Sequence, residues 1–373
     1  MTKKINLIIL ILLSFILSSC QKVERFRGTF STMGTAVSVT IDLEIKEAYE
    51  KHYKFIEDTF DFYHVLADNE TDKIKLDSNS LYQLTSENNV YKINSKIASS
   101  DNLEETFEVQ KELYELVYFG LLMEQETVID GVQYFSISLG NIIDKWKSVI
   151  REKNDLTQEE INDKINKIKS EIEKIEEVNR PIIIKEAEGK YFLTIKKGAK
   201  IDLGALAKGY ALELVRKYLE EQKVTSYLIS AGSSSMIMGS NYKKTSKKYL
   251  IGLVDPLKTK EYYGTVELEN NGITTSGNHE QFVEFIKGDE KQIYHHIVSP
   301  KEKMPLNYYH TVTLISKDVA KADALTTAMF NMPKEVLDKF IKENQYEVIY
   351  YENNERAATL HINTDKYQFK WSE

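Results

Sequence analysis

The chain has 373 residues, of which 28% are charged and 42% hydrophobic, and its formal net charge is −8. That length holds one large domain or two small ones around a substantial core, and the composition is that of a globular protein. The acidic balance, without a basic patch, excludes a nucleic-acid binder and argues against broad adhesion to an anionic membrane surface.

The first element is a targeting segment. "MTKKINLIILILLSFILSSC" places Lys3 and Lys4 ahead of a long apolar run that ends in Leu17-Ser18-Ser19-Cys20. This is a secretory signal over residues 1–19, and its end resembles a bacterial lipobox, in which the cysteine is lipidated and becomes the first residue. Cys20 is the only cysteine in the sequence, so an internal disulfide is impossible and anchoring accounts for it. An uncleaved membrane anchor is the alternative. Either way the remainder is expected outside the cytoplasm, tethered to the membrane. Cleavage removes Lys3 and Lys4 and takes the net charge from −8 to −10.

Residues 20–28 read as the lipidated cysteine and a tether. "TFSTMGTAVSVTIDL" then reads as a strand with a break at Gly34, residues 45–66 as a helix and residues 100–123 as a second helix. In 157–178, Thr157 and Glu160 form a capping-box pattern, and Ile161, Ile165, Ile168, Ile172 and Ile175 follow at heptad spacing. We expect a highly charged surface helix packed through one seam; three heptads are short for a partner-binding coiled coil. Residues 181–204 read as a hairpin, 205–222 as a helix, and 224–240 as two strands about a small-residue turn. "KKYLIGLVDP", "YYGTVELEN", "GITTSG", "YHHIVSP" and "YYHTVTLIS" read as strands, with helices opening near Val319 and over 334–344. No repeat or linker divides the chain, so one α+β domain is expected from about residue 29 to 373.

Chemistry is suggested at three places. In "IDLGALAKGYA" a strand ends at Asp202, small residues allow close backbone approach, and Lys208 lies one turn into a helix whose N-terminus suits a phosphate. Taken alone, an N-capping Asp202 and a solvated Lys208 satisfy the same pattern. In "YHHIVSP", neighbouring strand residues face opposite ways, so at most one of His295 and His296 points into a site. In "KADALTTAMF", Asp323 and Thr327 share a helix face among apolar residues. That oxygen pair suits a hard cation such as Mg²⁺, although local hydrogen bonding by both groups would give the same sequence.

Together these segments resemble the ApbE-type FAD:protein FMN transferases, or flavin transferases. "STMGT" (31–35), "SLYQLTSENNVYKIN" (80–94), "FSISLGNIIDKW" (135–146), "IDLGALAKGYA", "TTSGNHEQF" (274–282), "YHHIVSP" and "KADALTTAMF" match that family's motifs in order. The resemblance implies a T-fold-related α+β domain that transfers the FMN unit of FAD to a Thr or Ser hydroxyl of a target protein, releasing AMP, with Mg²⁺ (or Mn²⁺). It implies a flavin site at Met33, Tyr82, Tyr134, Phe135, Ser136, Asp202, Lys208 and Ile297. It further implies a metal site at Asp323, Thr327 and the Ala205 carbonyl, and catalytic roles for His296, Lys208 and Asp323. The implied acceptors are membrane redox subunits or extracytoplasmic electron-transfer proteins. FAD pyrophosphatase activity and a non-catalytic flavin-binding lipoprotein are the alternatives. The chain departs from the family at Ser136 (for Asp), Ser233-Ser234 (for Gly-Gly), Ser299 (for Asp) and Lys303 (for Gly).

Overall fold

The computed structural model describes residues 23–258, 260–279, 281–287, 290–353 and 358–372. The expected signal sequence and Cys20 lie outside them. Among the described residues no helix is long and apolar enough to cross a membrane.

Strands β1 (Glu24–Thr32) and β2 (Thr35–Leu43) form an antiparallel hairpin. The expected strand with a break is therefore two strands. Met33 and Gly34 make the turn at φ 48° and 69°, a conformation that follows strand twist and that glycine adopts without strain. Helix α1 (Lys46–Ala67) and helix α2 (Val90–Ser99) follow, then β3 (Glu104–Val109) and α3 (Lys111–Glu126). The helix expected over 100–123 thus begins as a strand. In β3, buried Phe107 and Val109 alternate with exposed Thr106 and Glu108, and the strand pairs along its whole length with Lys190–Lys196. That tertiary pairing outweighs the helical preference of its glutamates.

The short strands β4 (Val128–Ile129) and β5 (Val132–Gln133) lead to α4 (Gly140–Glu152) and α5 (Gln158–Ile172). The capping box forms as expected: Thr157 Oγ1 accepts from the Glu160 N–H, and the Glu160 carboxylate accepts from the Thr157 N–H. The helix ends at Ile172, short of residue 178. Its seam of Ile161, Ile165, Ile168 and Ile172 is buried against Trp146 and Val149 of α4.

Then come β6 (Ile182–Ala187), β7 (Lys190–Lys196), α6 (Ala207–Glu221), β8 (Tyr227–Ala231), β9 (Ser235–Met238), β10 (Tyr249–Val254), β11 (Tyr262–Leu268) and β12 (Asn271–Gly277). The last elements are β13 (Phe282–Lys287), β14 (Glu290–His295), β15 (Tyr309–Ser316), α7 (Val319–Phe330), α8 (Lys334–Asn344), β16 (Glu347–Glu352), β17 (Ala358–His361) and β18 (Lys370–Trp371). An antiparallel sheet in the order β1-β2-β8-β9-β12-β15-β16-β17 runs through the molecule. The period-2 alternation of its strands sends Ile229, Ile237, Val312 and Leu314 into the main core, shared with α1, α3, α6 and α7. Met238, Ile273, Ile315 and Ile349 face the other way, against the sheet β10-β11-β18. A third apolar cluster joins α4 and α5 to the β13–β14 hairpin through Val283, Phe285 and Tyr294.

Candidate active site

Between the large sheet and the β10–β11 layer lies a cleft of about 660 Å³. One part of its wall is apolar, with Leu228, Met236, Ile251, Leu253, Tyr263 and Ile273. The other is polar, formed where the N-terminus of α6, the start of α7, helix α4 and the end of β14 converge.

Helices α6 and α7 touch because Gly209 has no side chain. A Cβ there would lie 2.4 Å from Asp323 Cβ and 2.7 Å from the Val319 carbonyl oxygen. The contact lets the Gly209 N–H donate to Asp323 Oδ2 at 2.9 Å, while Ser235 Oγ of β9 donates to Oδ1 at 3.2 Å. Asp323 is 6% exposed and forms no ion pair within 4 Å among the described residues. Burial pushes its carboxyl up; the Lys208 charge, the Gly209 N–H and the Ser235 hydroxyl pull it only partly back. One turn on, Thr327 Oγ1 lies 3.3 Å from Ser276 Oγ and donates to the Asp323 carbonyl at 3.4 Å. Thr326 faces the interior, donating to the same carbonyl at 3.1 Å and accepting from Ser276. Asp323, Thr327 and Ala205 all line the cleft. A buried carboxylate that makes no ion pair within 4 Å among the described residues, one helical turn from a hydroxyl in the same cleft, is an oxygen set that fits Mg²⁺ or Mn²⁺. Among the described residues no group of three or more His, Cys, Asp or Glu side chains gathers in metal-binding fashion.

Asp202 stands at the entry to α6. Its Oδ1 accepts from the Gly204 N–H at 2.8 Å, and Oδ2 accepts from the Asn69 amide at 2.9 Å. Its backbone position is fixed by Asn94 of α2, whose side chain donates to the Ile201 carbonyl (2.9 Å) and accepts from the Ile201 N–H (2.8 Å). No side chain caps α6 at Leu206; the Ala207 N–H donates to the Leu203 carbonyl at 2.9 Å and the Gly209 N–H to Asp323, so the positive charge at this helix end is supplied by Lys208. Lys208 leans back over this turn, its Nζ 3.3 Å from the Gly204 carbonyl.

His295 ends β14 and His296 lies just beyond it. The buried His295 ring donates from Nε2 to the Leu306 carbonyl at 3.0 Å, and its Nδ1 accepts from the Ile297 N–H at 3.2 Å. This fixes the bend that turns His296 into the cleft. Burial, then the neighbouring His295 and Lys147, push the His296 imidazole down to about 3, so it is neutral at ordinary pH. Its Nδ1 faces the Gln281 carbonyl at 3.4 Å, which selects the Nδ1–H tautomer and leaves the Nε2 lone pair free.

The structure brings Met33, Phe135, Ser136, Asp202, Ala205, Lys208, His296, Ile297, Asp323 and Thr327 to this one cleft. The Met33 turn is pinned by His64, whose Nδ1 lies 3.2 Å from the Met33 N and 3.1 Å from Thr32 Oγ1. Two residues expected at the flavin site, Tyr82 and Tyr134, are not among the residues that line the cleft. Tyr82 stacks on Phe62 at 4.5 Å and shares a hydrogen bond with Thr59, packed against the main core. Tyr134 is buried in that core beside Phe135. Lys147 also lines the cleft, and Asn69, Asn94 and His64 support it from behind through Asp202, Ile201 and Met33; of these only Asn94 carried a signal of its own, as a polar residue on the apolar face made by Val90, Ile93 and Ile97.

Three of the four departures have a local setting in the fold. Ser136 donates to Glu124 at 2.8 Å, and the same carboxylate accepts from the Ile137 N–H at 2.7 Å. Gly232 at φ 67° starts the turn that presents Ser233 and Ser234 to the cleft. Lys303 sits at φ 55°, a left-handed conformation that glycine would adopt without steric cost.

Fold and site together define an α+β protein with a cleft that is apolar along one wall and polar along the other. The chain belongs to the ApbE family, whose model matches residues 33–350. It is 32% identical over 153 residues to a FAD:protein FMN transferase of Klebsiella pneumoniae, covering 40% of this chain and 44% of that protein. It is 25% identical over 243 residues to one from Buchnera aphidicola, covering 64% and 66%. The match thus spans under half of the first relative and about two thirds of the second. In fold it is similar to an ApbE protein of Thermotoga maritima (TM-score 0.67, 22% identity, 92% of this chain and 98% of that one). It is likewise similar to the flavin transferase ApbE of Vibrio cholerae (TM-score 0.63, 16% identity, 91% and 96%).

Proposed function

We propose that this protein is an enzyme that transfers the FMN unit of FAD to a Thr or Ser hydroxyl of an acceptor protein, releasing AMP. The observation that carries this reading is the convergence of Asp323–Thr327, Lys208 and a neutral His296 on one cleft with an apolar wall. The apolar wall suits the flavin or adenine rings, and the Lys208 ammonium suits the pyrophosphate. The acceptor oxygen attacks the FMN-side phosphorus, the P–O bond to AMP breaks, and the bridging oxygen leaves with AMP. The hydroxyl proton passes to Nε2 of His296, whose Nδ1–H is held by the Gln281 carbonyl. Asp323, Thr327 and the Ala205 carbonyl would hold Mg²⁺ or Mn²⁺; when bound, the cation neutralises charge on the pyrophosphate.

The same residues serve FAD hydrolysis to FMN and AMP when water takes the place of the hydroxyl. We further assign Cys20 as a lipid anchor that holds the domain on the extracytoplasmic side of the membrane, facing membrane or extracytoplasmic redox proteins. The test is AMP release from FAD with and without a divalent cation. Release that stops with chelator and returns with Mg²⁺ is expected; binding of FAD with no AMP under any condition would leave a flavin-binding lipoprotein.

A further inference from the structure

Lys147 reaches the cleft from α4, an element separate from the helices that carry Lys208 and Asp323. Its backbone is held firmly. The adjacent Trp146 is fully buried, donates from its indole N–H to the Lys303 carbonyl at 3.1 Å, and stacks on Tyr294 at 4.8 Å. The Lys147 side chain is only 20% exposed, yet its ammonium lies 3.7 Å from Asp202 Oδ2. That is an ion pair without a hydrogen bond, and among the described residues Nζ makes no hydrogen bond at all. Asp202 already accepts from Gly204 and Asn69, so it aims Lys147 without using its three donors. A cation restrained in this way inside a cleft of a chain with net charge −8 is poised for an anion.

We infer that Lys147 is a second phosphate-binding cation of the cleft, exchanging its loose pairing with Asp202 for a phosphate oxygen of a nucleotide ligand. The inference rests on the reading of the cleft as a dinucleotide site. Lys147 and Lys208 approach from different helices, which suits a ligand whose charge is spread over two phosphorus atoms. Lysine supplies a compact point charge that can follow either one.

The test is equilibrium binding of FAD, ADP and riboflavin to the wild-type protein, Lys147→Met and Lys147→Arg at fixed ionic strength. Lys147→Met is expected to weaken FAD and ADP about tenfold, the size of one charge-assisted contact. Riboflavin, which has no phosphate, should bind within about twofold of wild type, and Lys147→Arg should recover most of the loss. FAD and ADP binding unchanged in Lys147→Met would overturn the inference and leave the flavin-transfer reading standing. Equal weakening of riboflavin would also overturn it, since Lys147 would then act through cleft shape. A wild-type protein that binds ADP but not FAD, with ADP lost in Lys147→Met, would support the phosphate contact and remove the flavin reading. Failure to bind either nucleotide would overturn both.

Discussion

His295 and His296 are neighbours with opposite tasks. His295 is fully buried with both ring nitrogens engaged, and burial pushes its imidazole down to about 4. Above the ordinary value of 6.5 the ring is neutral in folded and unfolded chains alike. As pH falls from 6.5 towards 4, the unfolded chain takes up a proton that the folded one refuses, and stability is lost. At pH 5 this costs about 2 kcal/mol relative to pH 8. Urea unfolding at the two pH values should therefore show His295→Gln losing about 2 kcal/mol less on acidification than wild type. Asp323→Asn keeps an acceptor for Gly209 and removes the charge. It should reduce AMP release at least about 100-fold, the scale of losing one electrostatic stabiliser, while circular dichroism stays native. Wild-type turnover would remove the metal assignment. The adjacency rule for strands showed from sequence that only one histidine of the pair could face a site. It could not say which, because β14 ends at His295 and the bend beyond it depends on the Leu306 carbonyl, contributed by a later loop.

At the scale of elements, the α6–α7 contact holds the polar end of the cleft in shape. Gly209→Ala forces a Cβ against Asp323 and the Val319 carbonyl. The expected cost is about 1–3 kcal/mol by overpacking, with AMP release falling because Asp323 is displaced. Ile168→Ala, in the α5 seam, should cost a similar or larger amount, about 2–4 kcal/mol, and leave FAD affinity unchanged. Denaturant titration with a parallel FAD-binding curve separates the two cases. Helix α5 was legible because its cap and its stripe are local signals. Strand β3 was not, since its glutamate-rich sequence prefers helix and only pairing with β7 makes it a strand. Lys147 was equally hidden: in "DKWKSV" it reads as one of several solvated charges, and only the burial of Trp146 against β14 turns it towards the cleft. Tyr82 and Tyr134 are implied at the flavin site by motif resemblance alone; in the fold both pack against the main core.

Over the whole molecule, the cleft is an interlayer space. Its polar end comes from segments with sequence motifs at residues 33, 202–209, 296 and 323–327. The apolar wall comes from β10 and β11, whose Ile251, Leu253 and Tyr263 carry no signal beyond strand periodicity. The residues of the polar end were therefore readable before the fold was known, whereas the apolar wall needed the stacking of the two sheets. The most direct test of the central claim is the intact mass of a candidate acceptor, a membrane redox subunit or extracytoplasmic electron-transfer protein, after incubation with this protein, FAD and Mg²⁺. The acceptor should gain the mass of one FMN less one water, in step with AMP release, and neither should occur with Asp323→Asn. AMP matched mole for mole by free FMN, with every candidate acceptor unshifted, would contradict transfer and leave hydrolysis as the reaction.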